Sequence, residues 1–117
     1  MRFGLQKPNF NFDYRGNDTS QIIDSLKKLA TTAENNGFDS FWEMDHFHQI
    51  PMIGKVEEPM LESWTTLSMV AGLTTNIKLG TLVTGITYRY PAVLAKVAAT
   101  LDVLSKGRLF MGIGAAW

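Results

Sequence analysis

The chain's two histidines, His46 and His48, sit together in Glu43-Met44-Asp45-His46-Phe47-His48, flanked by two carboxylates. Imidazole exchanges protons near neutrality, so His46 beside Asp45 suits general acid or base work. A pair of histidines at i and i+2 is also a spacing that zinc sites use. A metal-dependent hydrolase would need both rings to converge with Asp45 and Glu43. A surface or capping histidine is the alternative without chemistry. Gly112-Ile113-Gly114 looks at first like a dinucleotide-binding fingerprint. Trp117 stands where the third glycine belongs, however, and neither a helix nor an acidic residue follows, so the motif fails its context. Small residues easing a strand into a tight loop explain it better.

These residues gain weight from the elements that must carry them. Arg2 to Gln6 alternates and ends at Lys7-Pro8-Asn9-Phe10-Asn11, as a strand followed by a loop would. Asp18, Thr19 and Ser20 offer caps for a helix with the stripe Ile22, Leu26, Leu29 and Ala33, and Asn36-Gly37 stops it. Phe38 to Met44 has strand character, and a second helix is expected from about Pro59 to Leu73, with Pro59 in its first turn. Within it, Trp64, Leu67, Val70 and Leu73 suit helix packing, and Glu57-Glu58 before it suits a solvated loop. Ile77, Leu79, Thr81 and Val83 alternate as a third strand. Tyr90-Pro91 opens a third helix with the stripe Val93, Val97, Leu101 and Leu104, ended by Gly107, and Arg108 to Ile113 forms a fourth strand.

The order β-α-β-α-β-α-β calls for right-handed crossovers and a parallel sheet. An open doubly wound sheet and a segment of a TIM barrel both fit. A full barrel takes about 250 residues, or roughly 31 per β/α unit, so 117 residues make about half of one. In either architecture the site lies at the C-terminal strand ends. Asn9 and Asn11, Asp45-His46, Thr84 and Gly112-Ile113-Gly114 all fall there.

Eleven basic residues balance eleven acidic ones without a basic stripe, which argues against a nucleic-acid partner. No apolar run approaches the roughly 18 to 20 residues of a membrane helix, so no membrane partner is expected. The opening residues resemble a strand rather than a signal peptide. Absence of cysteine excludes a disulfide framework and a thiolate metal site and fits a reducing, cytoplasmic setting.

Several blocks, in order, resemble the luciferase-like flavin monooxygenases, most closely the branch that uses 8-hydroxy-5-deazaflavin (F-420). They are Trp42 to Phe47, Gly80 to Thr84, Arg89 to Ala95, Ala99 to Arg108 and Gly112 to Trp117. The resemblance implies a TIM barrel of which this chain is the N-terminal half, with a flavin-type ring at the strand ends. It further implies Asp45 as a cofactor contact, His46 as the catalytic proton donor or acceptor, and F-420, or alternatively FMN, as cofactor. The family also carries a bulge with a non-prolyl cis peptide after the third strand. Here that stretch is Thr81-Leu82-Val83-Thr84, a further cofactor-binding segment, with Thr81-Leu82 the expected bond. A plain strand is the alternative.

The activity implied is that of an oxidoreductase passing a hydride to or from the cofactor and a small-molecule substrate, with no metal. Half a barrel leaves apolar faces uncovered and strand edges unpaired. A homo-oligomer or a complementing C-terminal half is therefore expected as partner. A half-barrel that assembles without catalysis, and a hydrolase built on His46 and His48, are the alternative functions.

Overall fold

A computed structural model describes residues 1–11 and 19–115. The element order is β1 (Gly4–Lys7), α1 (Ser20–Asn35), β2 (Ser40–Glu43), α2 (Ser63–Leu73), β3 (Lys78–Gly85), α3 (Pro91–Leu104) and β4 (Leu109–Gly114). The four strands form one parallel sheet in the order β1-β2-β3-β4. Strand faces decide between the two candidate architectures. Register aligns Leu5, Phe41, Leu79 and Leu109 across the sheet. All four belong to or pack against a single core with Leu26, Ala30 and Ala33 of α1, Leu67 and Val70 of α2, and Leu94, Ala98 and Leu101 of α3. All three helices thus cover one face, as in a barrel wall; a doubly wound sheet would carry helices on both.

The opposite face aligns Gln6, Trp42, Gly80 and Phe110. Trp42 and Phe110 stack with ring centres 5.9 Å apart, and Trp42 Nε1 donates to Ser40 Oγ at 2.8 Å. Gly80 between them makes room: a Cβ there would lie 2.6 Å from Trp42 Cζ3 and 2.7 Å from the Phe110 carbonyl oxygen.

Helix α1 follows its amphipathic pattern, burying Ile22, Leu26, Ala30 and Ala33. Gly37 at φ +77° closes it, with Phe38 N–H donating to the Ala33 carbonyl. Thr19 is its N-cap and makes no side-chain cap bond; Asp18 lies outside the described residues. Helix α2 starts at Ser63, four residues later than expected from Pro59. Glu62 is the N-cap, and its carboxylate accepts from Thr65 N–H at 2.6 Å. The preceding segment is anchored instead to the loop after β1, where Asn11 Nδ2 donates to Glu58, so Glu58 is half-buried rather than fully solvated.

Helix α3 also departs from its expected stripe. Leu94, Ala98 and Leu101 are buried, whereas Val93 and Leu104 are 55% and 65% exposed. Its sequence is apolar on adjacent stripes, so periodicity alone leaves the rotation open and contact with the sheet selects it. Arg108 closes the opposite end of the sheet. Its Nε donates to the Ser105 carbonyl, Nη1 to Thr74 Oγ1 and the Ile77 carbonyl, and Nη2 to the Ala71 and Thr74 carbonyls, at 2.7 to 3.1 Å. Glu34 braces the same end by accepting from Thr75, Asn76 and Ile77 N–H. Among the described residues no helix is long and apolar enough to cross a membrane.

Candidate functional site

At the C-terminal strand ends a cavity of about 260 Å³ is lined by Asp45, His46, Leu82, Val83, Thr84, Gly85, Tyr88, Gly114 and Ala115. Its floor comes from an irregularity in β3. Thr81 pairs with Met111 and Thr84 with Ile113, so Leu82 and Val83 together oppose the single residue Gly112. The non-prolyl cis bond is Leu82–Val83, one residue later than the expected Thr81–Leu82. Thr81 still holds ladder register, and the irregularity begins after it.

Thr81 and Thr84 are fully buried, with their hydroxyls 2.5 Å apart. Leu82 and Val83, by contrast, are 51% and 43% exposed. Thr84 lines the cavity and Thr81 lies outside its lining. Gly112 and Gly114 let β4 press against this bulge. A Cβ on Gly112 would approach the Thr81 carbonyl oxygen to 2.8 Å, and one on Gly114 would approach Val83 Cγ2 to 2.5 Å. Close strand contact is therefore what the two glycines serve.

Asp45 is buried, and both of its oxygens are engaged from within the protein. Oδ1 accepts from Ser63 Oγ at 2.6 Å and Arg89 Nη2 at 2.8 Å. Oδ2 accepts from Gly85 N–H at 3.0 Å and Arg89 Nη1 at 2.7 Å. Burial alone would raise the Asp45 pKa, but Arg89, Ser63 and Gly85 outweigh it and hold the carboxyl below its ordinary value. Arg89 also pairs with Glu62. Burial opposes ionisation of Glu62 too, and Thr65 and Arg89 overcome it, lowering its pKa. Hydrogen bonding to Asp45 raises the Arg89 pKa against the opposing effect of burial.

The Arg89 guanidinium lies 5.7 Å from the centre of the Phe47 ring, which stacks on Tyr88 at 4.6 Å. His46 is half-buried at the cavity wall and His48 is exposed. No group of three or more His, Asp or Glu is arranged to hold a metal among the described residues. Glu43 pairs in register with Lys7 and Thr81 within the sheet. It is 2% exposed, and burial pushes its carboxyl up to about 8 despite the charge of Lys7. Of the loop asparagines, Asn11 bonds to Glu58, and its N–H lies 3.4 Å from Asn9 Oδ1; neither asparagine lines the cavity.

The structure thus brings Asp45, His46, Leu82, Val83 and Thr84 together at one cavity. Sequence reasoning missed Arg89, Glu62, Ser63 and Tyr88. Arg89 directly before Tyr90-Pro91 and the acidic residue before Ser63 were the available signals. Nothing local, though, joins Arg89 to a carboxylate 44 residues away.

A family model described as luciferase-like monooxygenase matches residues 1–117. The F420-dependent glucose-6-phosphate dehydrogenase of Amycolatopsis mediterranei (strain U-32) is 39% identical over 90 residues, covering 76% of this chain and 26% of that protein. Among solved structures, the oxygenating constituent of 3,6-diketocamphane monooxygenase from Pseudomonas putida, in complex with FMN, superposes with a TM-score of 0.78 at 28% identity. The match covers 100% of this chain and 30% of that one. The coenzyme F420-dependent tetrahydromethanopterin reductase of Methanopyrus kandleri gives a TM-score of 0.73 at 28% identity, covering 99% and 27%. The chain spans about a quarter of the length of the dehydrogenase it matches.

Proposed function

The chain belongs to the luciferase-like monooxygenase family, and on that premise we propose that its strand-end cavity forms one side of a redox site that binds F-420, with FMN as the alternative. The whole protein would be an oxidoreductase acting on a small organic substrate. The observation that carries this reading is the cavity floor. Two large aliphatic side chains, Leu82 and Val83, stand about half exposed beside His46. A planar, largely apolar ring would cover them, and that burial would stabilise the complex. The cofactor supplies the hydride chemistry when bound. His46 gives or takes a proton at the cavity wall. Leu82, Val83 and Thr84 would border the ring and exclude water, Thr81 would support them through Thr84, and Asp45 would form the adjoining wall.

The names of the relatives support both cofactors: the dehydrogenase and the reductase depend on F420, and the camphane monooxygenase holds FMN. A second reading, a half-barrel that assembles without catalysis, is favoured by β4. Phe110, Met111 and Ile113 are 41%, 41% and 60% exposed there. A second copy or a complementing C-terminal half would cover them, and a cytoplasmic setting accords with the cysteine-free sequence.

Equilibrium binding of FMN and of oxidised and reduced F-420 to the purified chain, with mass by light scattering, tests both readings. Saturable binding that His46→Ala weakens supports the redox site. A folded chain that binds none of the three, whatever its mass, overturns that site, and tight oligomers would then favour the assembly reading.

A further inference from the structure

An ionised carboxylate offers about four lone-pair positions. Asp45 accepts four hydrogen bonds, two on each oxygen, from Ser63, Gly85 and both terminal nitrogens of Arg89. Its acceptor capacity is filled from inside the protein. The donors come from three separate places: Ser63 begins α2, Gly85 ends β3, and Arg89 precedes α3. Arg89 reaches two further groups, Glu62 at the N-cap of α2 and the face of Phe47, which follows His46 and stacks on Tyr88. The guanidinium thus holds Asp45 directly, and reaches Gly85 through Asp45 and Tyr88 through Phe47.

We propose that Arg89 is a positioning residue that works through Asp45, and that the pair is a latch fixing His46 relative to the Leu82–Gly85 floor, with the Asp45 carboxylate making no hydrogen bond to the cofactor. The proposal rests on the redox reading for its consequence and on the protein's own bonds for its geometry. The Asp45 and Arg89 side chains are only 1% and 13% exposed, so removing the cation strands a buried carboxylate. Among the described residues, the charged or titratable groups that line the cavity with Asp45 or pair with it or with Arg89 are His46, Tyr88, Arg89 and Glu62. With Arg89 absent, burial drives Asp45 toward its protonated form, which accepts fewer bonds, and the grip on Gly85 N–H weakens. Lysine at position 89 keeps a charge but lacks the planar fork that makes two parallel bonds.

The test compares the chain with Arg89→Met, Arg89→Lys, Asp45→Asn and the double variant Asp45→Asn/Arg89→Met. Three readouts are followed by NMR and fluorescence: hydrogen-exchange protection of the Gly85 amide, the titration of the His46 ring, and the pH profile of F-420 and FMN binding. Protection at Gly85 is expected to fall roughly tenfold or more in Arg89→Met and less in Arg89→Lys, as loss of charge-assisted bonds implies. Protection and binding should become pH-dependent in Arg89→Met only, because burial then favours the protonated Asp45 carboxyl, and the His46 ring signals should change with them. The double variant should be no worse than Asp45→Asn alone, because no charge is left unpaired.

Unchanged Gly85 protection in Arg89→Met, or losses in the two single variants that simply add in the double, would overturn the latch. Should Arg89→Met not fold, Arg89→Lys and Asp45→Asn decide the same point. A wild-type chain that binds neither cofactor defeats the proposed function, yet the Gly85 and His46 readouts still settle the latch.

Discussion

Replacing Glu43 by glutamine removes a carboxyl that the fold holds in its protonated form. Glu43 lies within the four-stranded sheet at 2% exposure, and burial raises its pKa from the ordinary 4.5 to about 8, against the opposing charge of Lys7. Between those two values the folded chain keeps the proton that the unfolded chain has released. Folding therefore takes up a proton, and stability falls as pH rises across the window. The contribution is fully present below pH 4.5 and gone once pH has passed through about 8. At about 1.36 kcal/mol per pH interval the full loss approaches roughly 5 kcal/mol, of which about 3 kcal/mol has gone by pH 7. That is a large share of the 5–15 kcal/mol typical of a domain.

Glutamine has nearly the same shape and no titration, so the variant should lose this slope and exceed the wild type near pH 7 and above. Urea unfolding at pH 5, 6, 7 and 8 is the assay. With a slope of about 1–1.5 kcal/mol per molar urea, the two midpoints should separate by roughly 2 to 3 M at pH 7 and converge toward pH 5. Wild-type midpoints that stay level or rise from pH 5 to 8, in parallel with those of the variant, would refute the reasoning. Glu43 would then be ionised and solvated, or paired with Lys7 more tightly than burial penalises it.

Arg108→Met should cost about 3 kcal/mol in urea or thermal unfolding, because four carbonyls and the Thr74 hydroxyl lose their donor at once; equal stability would mean water replaces the guanidinium freely. Gly80→Ala should cost about 2 kcal/mol and alter near-ultraviolet circular dichroism, since the new Cβ collides with Trp42 and with the Phe110 backbone. Glu34→Gln should lower the thermal midpoint at neutral pH. Burial would raise the Glu34 pKa, but the N–H groups of Asn76, Ile77 and Thr75 and the charge of Arg108 lower it. Its contribution is therefore present above the ordinary glutamate value and lost as pH falls through the lowered one. The difference between wild type and variant should accordingly close in acid, and a difference that persists there would rule out the charged form as its cause.

Sequence alone determined the order of elements, because hydrophobic period, proline and glycine act over a few residues and those signals are local. Ile22, Leu26 and Ala33 marked the buried side of α1, and Gly37 its end. The placement of Asp45-His46, Thr84 and the Gly112–Gly114 segment at strand C-termini followed from the same alternation. Tertiary structure decided what local signals leave open. The face of α3 was set by contact with the sheet, since Val93, Leu94, Val97 and Ala98 offer more than one apolar stripe. The start of α2 depended on Glu62 acting as the cap and on Glu58 being held by Asn11, a residue 47 positions away. The bulge at Leu82–Val83 needed the register of β4. Only folding could show that Asp45 spends all its acceptor capacity on Ser63, Gly85 and Arg89. A carboxylate's partners are chosen by proximity in space, and the chain between them carries no trace of that choice.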